Sequence, residues 1–80
     1  MKKEEIIKEI TPIFLDVLDV DKIDLTEETT ANDIEEWDSL NHIQLVVTIE
    51  KYFNIKFTSQ EIQSWVNVGD MCDTIISKKT

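Results

Sequence analysis

The 80-residue sequence has one cysteine, one histidine, one glycine and one proline, and each scarcity closes a route. A lone cysteine cannot form an intramolecular disulfide, and Cys72 with His42 supplies too few ligands for a cysteine-based zinc site, so no structural metal is expected. One Gly and one Pro beside a hydrophobic fraction of 41% argue against disorder and against a turn-rich β fold. No apolar run approaches the length of a signal or membrane segment, so membrane insertion is not expected. A cytoplasmic setting follows as the expectation, and a single thiol at an apolar position, Cys72, suits it as a buried, inert group. Stability must then come from an apolar core, near the lower size limit for one domain, and residues 1–80 read as a single domain.

Acid is abundant: seventeen Asp and Glu stand against eight basic residues, a formal charge of −9. Nucleic acid and anionic lipid would be repelled, while basic patches on proteins would be attracted from a distance. Excess carboxylate also keeps a chain in solution without any partner. Here it crowds at Asp33, Glu35, Glu36 and Asp38, just before the most apolar stretch. Such crowding predicts that magnesium, moderate salt or mild acidification raises the melting temperature.

The spacing of Ile6, Ile7, Ile10, Ile13, Phe14, Val17 and Leu18 predicts an amphipathic helix over residues 3–18. Pro12 lies inside it and predicts a kink, or a restart with Thr11 as cap. Residues 19–33 form a long polar connection whose Val20, Ile23, Leu25 and Ile34 side are expected to be pinned to the core; a loop of this length in so small a domain is usually functional. Asp19, Asp21 and Asp24 invite a calcium-loop reading, which fails on spacing. Ile23 takes the fifth position, Asp24 stands where the turn needs Gly, and Thr30 stands where the bidentate Glu belongs.

Asp38 is a good helix N-cap, and residues 39–53 follow with helical periodicity. At ~100° per residue, Leu45, Val46, Ile49 and Phe53 form a stripe with His42 in its middle, which is expected to face the core. Leu40, Ile43 and Val47 form a second stripe on another side, flanked by Gln44, Glu50 and Lys51, and are expected to meet a partner. The alternative is a central helix buried nearly all round. Thr58 followed by Glu61 is a capping-box pattern that opens a short helix over residues 59–65, with Ile62 and Trp65 inward. Asn67 followed by Asp70 opens the last helix the same way; Val68, Met71, Cys72, Ile75 and Ile76 give its apolar face, and Lys78 and Lys79 sit at the negative end of its dipole. The expected fold class is all-α: a small four-helix bundle with a long first loop and a short third helix.

Ser39 occupies the first turn of the helix that Asp38 caps. A hydroxyl there is exposed, held on rigid structure, and close to unpaired backbone N–H groups that favour an attached phosphate. It reads as an attachment point.

With Asp38-Ser39-Leu40 opening the second helix, Phe53 near its end, a short third helix and Val68-Gly69-Asp70 starting the last, the chain resembles the acyl carrier protein family along nearly its whole length. The resemblance implies that Ser39 bears a covalent 4'-phosphopantetheine arm, transferred from coenzyme A by a phosphopantetheinyl transferase, whose thiol carries an acyl or aminoacyl group as a thioester. It further implies a monomer that is not itself an enzyme, served by an acyl- or aminoacyl-loading ligase and by an acyltransferase or synthase. Partner recognition falls, by the same resemblance, to Asp38, Leu40, Ile43, Val47 and Glu50, and a cargo cleft to His42, Val46, Ile62 and Trp65. Trp37 replaces the small residue common before the Asp, and is expected to cover the loop or the base of the arm. Asn41, Gln44 and Lys51 stand where fatty-acid carriers are typically acidic, which implies a specialised carrier. Ile62 and Trp65 are large for their positions, so the expected cargo is short or polar.

Two other readings compete. Ser39 and His42, three apart on one helix, could form a small hydrolase, although no glycine-rich turn offers an oxyanion hole. An acidic helical interaction module without a prosthetic group would account for the charge and the second stripe equally well.

Overall fold

Ile6, Ile10, Ile13, Phe14 and Leu18 recur at three- and four-residue spacing and are buried along one face of α1 (Lys3–Leu18) in a computed structural model that describes residues 2–79. The helix runs unbroken through Pro12, so the expected restart does not occur. Thr11 donates its hydroxyl to the carbonyl of Ile7 (2.6 Å) instead of capping a new helix. Pro12 and Lys8, whose carbonyl loses a helical partner to the proline ring, are both exposed, where water can replace the missing donor. Asp19 ends α1 in the left-handed conformation (φ 55°), and Val20 N–H returns to the Leu15 carbonyl.

Three further α-helices follow among the described residues: α2 (Ser39–Phe53), α3 (Ser59–Ser64) and α4 (Val68–Lys79). α1 packs against both α2 and α4, whereas α3 packs chiefly on α4. The core between them holds Ile6, Ile10 and Phe14 from α1, Leu45, Ile49 and Phe53 from α2, and Val68, Met71, Cys72 and Ile75 from α4. Val46 corrects the expected stripe slightly: it is buried, but outside this cluster. Cys72 is fully buried, and desolvation pushes its thiol pKa up to about 12, so it is protonated and unreactive at neutral pH.

The long connection is more structured than its polar sequence suggests. A 3-10 turn, Ala31–Asp33, interrupts it, with the Asp33 carboxylate accepting the N–H of Thr30 (2.9 Å). Leu25 is buried, and Val20, Ile23 and Ile34 pack against the core, as their apolar character predicts. Thr29, the one buried polar side chain among the described residues, accepts the N–H of Thr26. The loop also supplies acceptors to α4: Val68 N–H reaches the Thr29 carbonyl (2.9 Å) and Gly69 N–H reaches that of Glu27 (2.8 Å). Two donors that helix geometry leaves orphaned are thereby satisfied. This close approach explains the single glycine, because a Cβ at position 69 would lie 3.0 Å from the Glu27 carbonyl oxygen. Lys3 ties the same corner together from α1, with ion pairs of 3.2 Å to both Glu27 and Asp73.

The capping box that opens α3 forms in both directions, Glu61 N–H to Thr58 Oγ1 and Thr58 N–H to Glu61 Oε1. Trp65, expected in the last turn of this helix, instead follows it with extended backbone (φ −73°, ψ 123°). At the start of α4, Asn67 Oδ1 accepts the N–H of Asp70, as the sequence pattern implies, whereas the return bond shifts by one residue: Asp70 Oδ2 accepts the N–H of Val66 instead of that of Asn67.

Candidate functional site

Position 39 follows from the chain on either side of it. Asp38 has extended backbone and its Oδ1 accepts the N–H of Asn41 (2.8 Å), which fixes the first turn of α2. Asn41 in turn donates its side-chain amide to the Glu36 carbonyl (2.8 Å), locking the incoming loop against the helix. An acidic residue at position 41 could not make that donation, so the departure has a structural cause. Ser39 is the first helical residue, exposed, and its hydroxyl has no partner among the described residues. The N–H groups of Ser39 and Leu40 are likewise free among the described residues, the orphan donors of a helix start.

Beyond Ser39 the second stripe of α2 is open. Leu40 is 67% exposed, Ile43 61% and Val47 42%, which excludes a helix buried all round. Glu50 stands apart from them. Its Oε2 accepts the N–H of Phe57 (2.8 Å), so this half-buried carboxylate braces the connection between α2 and α3.

Trp37 is buried, its ring edge-on to Phe14 at 5.0 Å. It therefore belongs to the core, while one side still lines an open groove of ≈ 570 Å3 with Ala31, Asp38, Ser39, His42 and Ile43. Sequence reasoning missed this core role, because a tryptophan in an acidic loop carries no periodic signal. The Trp37 indole donates to Nδ1 of His42 (3.1 Å). Burial pushes the His42 pKa down from its ordinary value, so the ring is neutral at neutral pH. The His42 and Trp65 rings lie nearly perpendicular, with centroids 6.3 Å apart, and Trp65 is held by a hydrogen bond to Thr74 and by an edge-on contact with Phe57.

His42 and Trp65, two of the four expected cleft residues, meet in a second, smaller hollow of ≈ 70 Å3 that Trp37 and Met71 also line. Val46 and Ile62 do not line it; Ile62 is half-buried beyond it on α3. The two spaces share Ala31, Trp37 and His42, so these residues line both the groove beside Ser39 and the hollow. The arrangement offers little to hydrolysis. No hydrogen bond joins Ser39 to His42 among the described residues, and Nδ1 of His42 is already taken by Trp37. What it offers is an accessible hydroxyl on a rigid turn, unpaired N–H groups suited to a phosphate, and an adjoining groove, which together fit a phosphate-linked arm.

Comparison with known proteins agrees. The family described as "Phosphopantetheine attachment site" matches residues 8–75. An acyl carrier protein of Rubrobacter xylanophilus is 29% identical over 80 residues, covering 100% of this chain and 99% of that protein. One from Guillardia theta is 33% identical, covering 98% and 96%. Among solved structures, the solution NMR structure of a holo acyl carrier protein from Geobacter metallireducens superposes with a TM-score of 0.85 at 49% identity, covering 90% of this chain and 83% of that one.

Proposed function

The chain belongs to the phosphopantetheine attachment-site family, whose members are carriers and not catalysts, and from that premise we propose that Ser39 is the residue that takes the arm. The carrying observation is the exposed, unpartnered Ser39 hydroxyl at the capped start of α2. Residues 1–80 act as one carrier domain and as a monomer. Its Cα radius of gyration, 11.5 Å, is close to the about 12 Å that one packed unit of this length gives.

The prosthetic group supplies a terminal thiol that holds the acyl group as a thioester. Ser39 contributes its hydroxyl oxygen as the ester-forming atom, and a phosphopantetheinyl transferase with coenzyme A supplies metal and base. Asp38 fixes the turn on which the serine sits. Leu40, Ile43 and Val47 present apolar surface to the transferase, to an acyl- or aminoacyl-loading ligase, and to an acyltransferase or synthase, while the −9 charge attracts the basic patches of such enzymes. Synthases and transferases are general partners of this family's carriers. A cytoplasmic location suits those partners, and no helix among the described residues is long and apolar enough to cross a membrane.

The small hollow supports a short or polar cargo. At ≈ 70 Å3 it has about half the volume of a ~150 Å3 cavity that admits benzene. Intact-mass measurement after incubation with coenzyme A and a broad-specificity transferase tests the reading. One pantetheinyl adduct is expected on the natural chain and none on Ser39→Ala. Failure to form an adduct would favour an acidic interaction module instead.

A further inference from the structure

The exposed face of α2 changes character along its length. Just before it stand the exposed carboxylates of Glu35, Glu36 and Asp38, none of which joins an ion pair among the described residues. Leu40, Ile43 and Val47 follow as open apolar surface. The far end is basic: exposed Lys51 and Lys56 line one hollow of ≈ 160 Å3 with Val47 and Ile55. Glu50, the one carboxylate in α2 and in that hollow, gives its Oε2 to the Phe57 N–H and forms no ion pair with either lysine. Lys3, Lys78 and Lys79, by contrast, are engaged within the fold, by Glu27 and Asp73, by Glu61 and by the Phe53 carbonyl. The helix dipole alone would account for Lys51, which lies in the last turn of α2. It does not account for Lys56, which lies beyond the helix yet beside the same apolar edge. From Asp38 to Lys51 the helix rises ~20 Å, more than twice the screening length of about 8 Å at physiological salt. The two ends therefore act on a partner separately. A uniformly basic surface laid along α2 would be drawn to one end and repelled at the other.

We propose that this face docks an enzyme surface of matching order: basic groups near Ser39, an apolar middle, and carboxylates opposite Lys51 and Lys56. The inference rests on the reading that the stripe meets the enzymes serving Ser39, and it adds the chemistry that selects among them. Lys51 and Lys56 reject partners that are basic throughout, and they fix the direction in which an accepted partner lies along α2.

Two synthetic helical peptides of identical composition and net charge serve as probes. Both carry leucines along one face; in one, arginines and glutamates are segregated at opposite ends, and in the other they alternate. Binding to the natural chain is followed by NMR at the amides of Leu40, Ile43 and Val47. The segregated peptide is expected to bind about three- to tenfold more tightly, each exposed charge pair contributing little on its own. A spin label at its arginine end should broaden signals around Ser39 and spare those of Lys51 and Lys56. Lys51→Glu combined with Lys56→Glu should abolish the preference. Lys8→Glu with Lys22→Glu, an equal change in net charge at exposed positions on α1 and the first loop, should keep it. The proposal is overturned by the lack of a preference, absence of binding included, by a label that broadens Lys51 and spares Ser39, or by a preference that survives Lys51→Glu with Lys56→Glu. The peptide comparison and the label use the natural chain alone, so they hold even where a variant fails to fold. Pairing of two copies, acidic end to basic end, is the rival occupant. A dimer in sedimentation velocity that Lys51→Glu with Lys56→Glu dissolves would overturn an enzyme partner in favour of it. Arm attachment is measured on the same natural chain by intact mass. Absence of any adduct would overturn the carrier reading and this proposal with it, whereas a normal adduct without peptide preference overturns the proposal alone.

Discussion

α2 carries two stripes of nearly the same chemistry with opposite fates. Leu45, Ile49 and Phe53 are buried against α1 and the core, while Leu40, Ile43 and Val47, roughly 150° around the same helix, remain open to solvent. Residue type alone does not distinguish a Leu at 40 from one at 45. What distinguishes them is which side α1 covers. One stripe stabilises the domain, and the other, lying next to Ser39, stays exposed, as the proposed meeting with enzymes requires. A carrier needs both, because surface offered to a succession of partners cannot also be committed to the core.

The contrast predicts unequal responses to the same truncation. Leu45→Ala should cost about 2–5 kcal/mol, which a domain of this size can scarcely absorb, whereas Ile43→Ala should stay within about 0.5 kcal/mol. Chemical denaturation of the two variants reads this directly. Leu40→Ala should likewise fold normally yet slow arm attachment, measured as the rate at which the adduct appears by mass. Comparable destabilisation at positions 43 and 45 would break the distinction between the faces.

Next in size is the corner where the loop rests on α4. Overpacking of the kind a Cβ at position 69 would cause costs about 1–3 kcal/mol, and the better helix propensity of Ala gives back about 1 kcal/mol. Gly69→Ala should therefore lower stability by a net amount under about 2 kcal/mol, seen as a lower denaturation midpoint. An unchanged midpoint would show that the contact between Glu27 and Gly69 yields freely. Asp38→Ala removes the cap of α2 and should cost about 1 kcal/mol. Unlike Leu40→Ala, it should impair folding and attachment together.

The smallest effect sharpens the comparison on the Ser39 side. Burial holds the His42 pKa below its ordinary 6.5, so as pH falls below that value the unfolded chain takes up a proton that the folded chain refuses. Stability contributed by neutral His42 is present above pH 6.5 and declines on acidification, down to the folded-state pKa. Relief of carboxylate repulsion acts in the opposite direction, which makes the bare pH profile ambiguous. Thermal melts of the natural chain and His42→Gln, compared at pH 7.5 and pH 5, isolate the histidine: the natural chain should lose stability relative to the variant on acidification. Parallel profiles would mean that the ring is not held neutral.

Much of this was legible in the sequence where the information is local. Asp38 as cap and Phe53 as the last apolar position bound α2 at 39–53, and the Thr58–Glu61 pattern marks the start of α3, because both signals lie within one or two helical turns. The two stripes of α2 could be drawn from periodicity, but which one α1 would cover could not be settled that way. Contacts between distant segments were not legible at all. Trp37 sits among acidic loop residues yet packs on Phe14, and the role of Gly69 depends on a carbonyl more than forty residues earlier. Likewise Glu50 reads as one of the flanking surface charges until the chain turns and brings Phe57 N–H to it. At the site itself Ser39 was visible from its cap, whereas the Trp37–His42 bond joins a loop to a helix and needed the fold.

On the proposed function, one hydroxyl at the threshold of α2 is displayed for another enzyme to decorate. Fragmentation mass spectrometry of the chain after treatment with coenzyme A and transferase tests it most directly, since Ser59, Ser64 and Ser77 are present as internal controls. A single pantetheinyl group confined to the fragment ions that contain Ser39 is expected. An adduct located on any other serine, or no adduct on a folded chain, would contradict it.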